Sequence, residues 1–386
     1  MQVSTPRPFH IDIPQERLDA IRTRIEAYEW HEMPRGDGLD GTWAYGANLD
    51  YMKKLCAYWT NGYDWRKWEA ALNRFPQFIA KVDDLDIHFY REDGSGPSPR
   101  PLVLSHGWPG SVFEFLHIIE KLAHPERFGG LVEDAFTVIV PSLPGYGFSG
   151  KPARPIGPRT TARYFDKLMR DVLGLPGYIA QGGDWGSAIS GWMGYDGAGC
   201  RAVHLNMFGW RSPGVHPETP EEMEYAARAQ QLFQMEGAYF QEHTTKPQML
   251  SYAMMDSPVG ACAWIVEKFY GWSDTRKGFE NVYTMDQLLP NVMIYLVTRS
   301  FNTATWMYRG LAEDRSGTPV PDKARLEKPV GIANFPVDLI PFPPRSMVER
   351  HLNVVRWTDF TEGGHFAALE RPDDLVGDIR AFARAL

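Results

Sequence analysis

The chain has 386 residues, 44% of them hydrophobic, with thirteen Trp, seventeen Tyr and twenty-one Phe, which suits a large core and argues against extended disorder. Its formal charge is −8 and its Lys and Arg residues form no basic stripe, so nucleic acid and anionic membranes are not expected partners. The start lacks a charged region followed by an apolar run, nothing approaches the ~18 apolar residues of a membrane span, and three cysteines (Cys56, Cys200, Cys262) make an odd number, so a soluble cytoplasmic protein with reduced thiols is expected.

Residues 1–76 carry amphipathic patterns such as Leu18, Ile21, Ile25 and Tyr28, with Pro14 near the first helix start, and read as a helical N-terminal extension. Over 77–210 the pattern alternates: DLDIHFYRED, a turn at GSGPSP, the strand PLVLSHG, a helix SVFEFLHIIEKL, the strand FTVIVPSLP, a helix from Arg163 to Leu173 and the short strand YIAQ. Strands alternating with helices imply an α/β protein with a mostly parallel central sheet. The alternation lapses after FGWRSPGVHPETP, and 211–325 read as a helical cap. It resumes over 326–386 with PVGIANFPVDL, NVVRWTDF and the helix PDDLVGDIRAFARAL. A helical block inserted there would cover the carboxyl ends of the strands, where open parallel sheets bind ligands.

The heptapeptide QGGDWGS, residues 181–187, has the glycine spacing of a G-x-S-x-G nucleophile turn with Asp184 in place of serine. A helix-capping Asp is the plain alternative, but a cap needs no such glycines. A carboxylate, with a reference pKa of about 3.9, attacks without a base. Its attack on an ester would give an unstable anhydride, so its natural target is a saturated carbon bearing a leaving group, a halide or a strained ether. The product is an alkyl ester on the enzyme, and a second base must then activate water. His365, in the GGH loop before the last helix, fits that role. Its orienting acid belongs on a loop after an earlier strand, which selects Asp338 over Asp359 (within a strand) and over Asp373 and Asp374 (first-turn carboxylates of the last helix). SHGWPGS, residues 105–111, reads as an oxyanion hole formed by the N–H groups of Trp108 and Trp185.

Residues 145–150, GYGFSG, match a dinucleotide fingerprint, but Pro152, Pro155 and Pro158 follow and deny it the helix it needs. His31 and Glu32 begin an H-E pair that no histidine completes as H-E-x-x-H. Neither a cofactor nor a metal is implied.

Taken together, HGWPGS, PSLPGYGFSGKP, GGDWG and GGHFAALERP resemble the microsomal-type epoxide hydrolases, and the resemblance runs through essentially the whole chain. It implies an α/β-hydrolase fold with a helical cap and an extra N-terminal segment. It also implies Asp184 as nucleophile, His365 as base and Asp338 as its partner, with two cap tyrosines, matched here to Tyr239 and Tyr295, protonating the epoxide oxygen. A phenol is a sensible donor to an expelled alkoxide, whereas a halide would need none. Membrane-bound relatives carry an apolar N-terminal anchor, and this chain begins almost directly with FHIDIP. The expected substrates are a small apolar epoxide, aryl or cyclic, and water; a homodimer is left open. A dehalogenase using the same Asp184, with the Trp185 indole holding halide, is the nearest rival; a ligand-binding protein that has lost its chemistry is the other.

Overall fold

The computed structural model describes residues 5–36, 38, 41–314 and 317–386. Among these, nine strands form one sheet: β1 (Arg7–Phe9), β2 (Gln77–Val82), β3 (Leu85–Glu92), β4 (Arg100–Ser105), β5 (Phe136–Pro141), β6 (Tyr178–Gly182), β7 (Cys200–Leu205), β8 (Leu326–Asn334) and β9 (Leu352–Asp359). Their order is β1-β2-β3-β5-β4-β6-β7-β8-β9. The first three pair antiparallel, as do β3 and β5, and the pairs from β5 through β9 are parallel. Parallel strands covered on both faces need near-continuous apolar runs, and β5, FTVIVP, is buried at every position.

Strand order reverses around β4, which lies between β5 and β6. At such a switch point the loops leaving neighbouring strands diverge and open a crevice. The β4–β6 register pairs Ser105 with Gly182, so the HGWPGS loop and the turn carrying Asp184 emerge side by side.

The N-terminal extension is not purely helical. Besides the helices Gln15–Glu26, Leu49–Asn61 and Trp65–Leu72, it supplies β1, the edge of the sheet. It also straps the cap. The Arg17 guanidinium donates to the Leu296 carbonyl at 2.6 Å, Tyr58 donates to Asp286 at 3.0 Å, Lys54 pairs with Glu280 at 2.6 Å, and Trp43 stacks on Tyr270 with centroids 4.3 Å apart. The segment SVFEFLHIIEKL does not form one helix but a 3₁₀ turn, Val112–Phe115, and a short helix, Ile119–Ala123. Val112, Phe113, Phe115 and Leu116 are all buried, and the Ser111 hydroxyl caps the 3₁₀ turn by accepting from the Phe113 N–H at 3.2 Å. Pro158, expected to break a helix, instead starts the helix Pro158–Lys167, where its missing N–H costs nothing; a π turn, Leu168–Val172, extends it.

Between β7 and β8 lie the helices Pro220–Glu236, Ala238–Thr245, Pro247–Asp256, Pro258–Trp272, Met285–Thr298 and Phe301–Glu313, with short turns between some of them. All three cysteines are buried and unpaired. Among the described residues no helix is long and apolar enough to cross a membrane, and no cluster of three His, Cys, Asp or Glu side chains is placed to hold a metal ion.

Candidate active site

Asp184 ends the β6 turn and opens the helix Asp184–Asp196 with φ +46°, a left-handed conformation that costs a non-glycine residue energy and lifts its side chain out of the turn. Close packing makes the turn possible. A Cβ on Gly186 would collide with the Ser105 carbonyl, and one on Gly107 would strike the Asp184 carboxylate itself. Glycine is therefore required by steric approach at both places, one on each side of the switch point.

The two carboxylate oxygens of Asp184 have different surroundings. Oδ1 accepts from the backbone N–H of Trp108 at 2.8 Å and of Trp185 at 2.7 Å. Oδ2 lies 3.2 Å from Nε2 of His365, whose Nδ1 is 2.7 Å from Oδ1 of Asp338. Asp338 Oδ1 also accepts from Leu339 N–H at 2.6 Å, which fixes its orientation. Burial alone would lower the His365 pKa, but the charges of Asp338 and Asp184 and their hydrogen bonds override it and hold the imidazole well above its usual range. The rival acids are engaged elsewhere: Asp359 accepts from Asn334 and the Trp357 indole, Asp374 pairs with Arg371, and Asp373 with Lys121.

The His365 loop is tied to the end of a cap helix. Its backbone N–H donates to the Trp272 carbonyl at 3.0 Å, and its ring packs edge-on against the Trp272 indole at 4.9 Å. Gly363 N–H donates to Asp274, while Glu370 accepts from Asp274 N–H and Phe366 N–H at 2.8 and 3.0 Å.

Above the carboxylate stands an aromatic cluster. Tyr239 stacks on Trp108 with centroids 5.2 Å apart and an interplanar angle of 11°. Tyr308, from the helix Phe301–Glu313, meets Trp108, Trp185, Tyr239 and His243 edge-on at 5.9, 4.7, 5.9 and 4.8 Å. Burial, followed by nearby charges including that of Asp184, holds both phenols well above their usual pKa, so both are protonated. Tyr295 takes a different place from the one expected. Its hydroxyl donates to the Gly110 carbonyl at 2.7 Å, so its proton is committed to the back of the HGWPGS loop. Tyr308 was missed because both tyrosines sit in apolar helical runs of the cap, and only tertiary packing separates them.

Glu114 was also missed. With Gly107, Asp184, Asn206 and His365 it lines a small cavity beneath the carboxylate, with about 10 Å³ open to the centre of a water-sized sphere. That is about the room one water needs. Burial pushes the Glu114 carboxyl up to about 8, so an uncharged acid faces this space at neutral pH.

Such a site, with an aspartate on the strand-to-helix turn of a capped, mostly parallel sheet, sits on an α/β-hydrolase fold. The comparisons agree. The epoxide hydrolase N-terminus family matches residues 6–115, and the alpha/beta hydrolase fold family matches residues 100–255. A putative epoxide hydrolase of Stigmatella aurantiaca is 37% identical over 98% of this chain and 85% of its own length; epoxide hydrolase 1 of Sus scrofa is 32% identical over 97% and 88%. The structure of Aspergillus niger epoxide hydrolase superposes with a TM-score of 0.86 at 35% identity, covering 99% of this chain and 97% of that one. Juvenile hormone epoxide hydrolase from the silkworm Bombyx mori superposes with a TM-score of 0.85 at 27% identity, covering 100% and 95%. The chain belongs to the epoxide hydrolase family and is a hydrolase.

Proposed function

We propose that this enzyme converts a small apolar epoxide, aryl or cyclic, to a vicinal diol in two covalent steps. Oδ2 of Asp184 attacks a ring carbon while Tyr239 and Tyr308 donate to the epoxide oxygen, leaving an alkyl ester on Asp184. Tyr308 takes the part that the resemblance implied for Tyr295, because its ring meets both Tyr239 and the two tryptophans beside the carboxylate. Water deprotonated by His365, itself oriented by Asp338, then attacks the ester carbonyl carbon, and the oxyanion forms on Oδ1.

The observation that carries this reading is the division of labour between the Asp184 oxygens. Two N–H donors at 2.7–2.8 Å grip Oδ1 and leave Oδ2 as the oxygen that can bond to carbon. The same two donors stabilise negative charge on Oδ1 in the second step, where an oxyanion-hole donor is typically worth about 3–4 kcal/mol. The electrostatics also order the steps. Forming the ester removes the Asp184 charge, one of two that raise the His365 pKa, so the imidazole becomes a readier base once the intermediate exists. The cavity lined by Glu114 and His365 is where we place the attacking water. The aromatic walls of Trp108, Trp185, Tyr239 and Tyr308 support an apolar substrate.

A single turnover in heavy-oxygen water tests the covalent route. The first diol should carry unlabelled oxygen from Asp184, with the label appearing in the protein; a diol labelled on the first turnover would rule the ester out.

A further inference from the structure

Lys268 lies in the helix Pro258–Trp272 and is only 8% exposed, unusual for an ammonium unless it has partners. Its Nζ pairs with Glu267 Oε2 at 2.6 Å and sits over the ring of Tyr239, 4.8 Å from the centroid, and over Trp272 at 5.8 Å. The pair is lopsided: the Glu267 side chain is 21% exposed and that of Lys268 9%, so the anion leans toward solvent and the cation toward the aromatic cluster. The positive charge is felt there, since Lys268 adds to the burial that drives the neighbouring His243 down to about 3.

We propose that Lys268 is a positioning residue for the acid step, holding a cation against the Tyr239 ring so that the phenol gives up its proton more readily as the epoxide opens. This rests on the reading of Tyr239 as a proton donor. A cation is attracted to the face of a neutral phenol and more strongly to a phenolate, whose ring carries charge. The contact therefore strengthens as the O–H bond breaks, and an interaction that grows toward the transition state accelerates the step. Tyr239 needs such help. Burial and the carboxylates of Asp184, Asp338 and Glu267 all oppose its ionisation, with an interaction from the Tyr308 hydroxyl working the other way. The proton balance is simple: Tyr239 transfers its proton to the epoxide oxygen as the C–O bond breaks and Asp184 bonds to carbon, and Lys268 keeps its three protons.

The test is a double-mutant cycle on the rate of ester formation, followed by tryptophan fluorescence in single turnovers of styrene oxide. Lys268→Met should slow ester formation about fivefold, and Lys268→Arg should recover most of the loss. In the Tyr239→Phe background, where Tyr308 still donates, Lys268→Met should have an effect of less than about twofold. Glu267→Gln, which removes the counter-anion without touching the cluster, should speed ester formation and thus move it in the opposite direction. An equal loss from Lys268→Met with and without the Tyr239 hydroxyl would overturn the proposal and leave Tyr239 as the acid. Wild-type ester formation in Tyr239→Phe would instead remove the acid on which the proposal stands.

Discussion

Asp184 and Tyr308 lie against the same tryptophan, yet they reach it by different routes. Asp184 meets the Trp108 backbone because β4 and β6 are adjacent and glycines let the two loops touch. Tyr308 meets the Trp108 ring because a helix from the far end of the cap packs down on the core. The first contact is set within a few residues of two strand ends, while the second depends on how helices some seventy residues apart in sequence, from Tyr239 to Tyr308, come together. The core half of the site is thus rigid and sensitive to single atoms, and the cap half is graded, its work shared among several aromatic groups.

Substitutions can break that contrast. Asp184→Ala should abolish diol formation, a fall on the order of 10⁵-fold or more in turnover, with no ester detectable by intact-protein mass spectrometry. His365→Gln should slow turnover by roughly 10²–10⁴-fold for a different reason, by stranding the ester. Mass spectrometry should then find the protein heavier by one substrate, after a burst of about one equivalent per site. Absence of that adduct, with the fold intact, would give His365 a part in the first step.

Changes in the cap should be milder and separable. Tyr308→Phe should slow ester formation by roughly tenfold, since Tyr239 still donates. Tyr295→Phe should leave that rate within about threefold and cost ~1–3 kcal/mol of stability in urea unfolding, because the buried Gly110 carbonyl loses its partner. If the two variants exchanged these effects, the sequence assignment of Tyr295 would be the right one.

The smallest effect is a shift in pH dependence. In the free enzyme Asp338 and Asp184 together raise the His365 pKa, and esterification removes the Asp184 charge. Ester hydrolysis needs neutral His365, so its rate should rise with pH through a midpoint lower than the imidazole midpoint measured by NMR in the free enzyme. A midpoint equal to or above the free-enzyme value would mean that Asp184 does not control the base.

This contrast also explains what could be read in advance. The turn carrying Asp184, the GGH loop and the acid after β8 are local: each is a short motif whose glycines or position at a strand end encode where the side chain goes. Asp338 could be preferred to Asp359 from the chain alone, since it falls on a loop after a strand and Asp359 falls within a strand pattern. The cap has no such local code. Tyr295 and Tyr308 both lie among buried apolar neighbours in adjacent helices, and nothing near either one in sequence reveals that one hydroxyl faces a backbone carbonyl and the other the tryptophans. The same limit hid β1, whose three residues are a strand only because β2 lies beside them, and Glu114, whose importance comes from a cavity that exists only after β4, β6 and the GGH loop converge.

The bond from His365 N–H to the Trp272 carbonyl joins the imidazole loop to the last turn of the helix that also carries Lys268. A hinge that swung this helix away to admit a guest would pull the imidazole off its two aspartates and dismantle the machinery it was meant to serve. The helix Ala238–Thr245 is held as well, by the stack of Tyr239 on Trp108, so a guest has to enter with both of these helices in place.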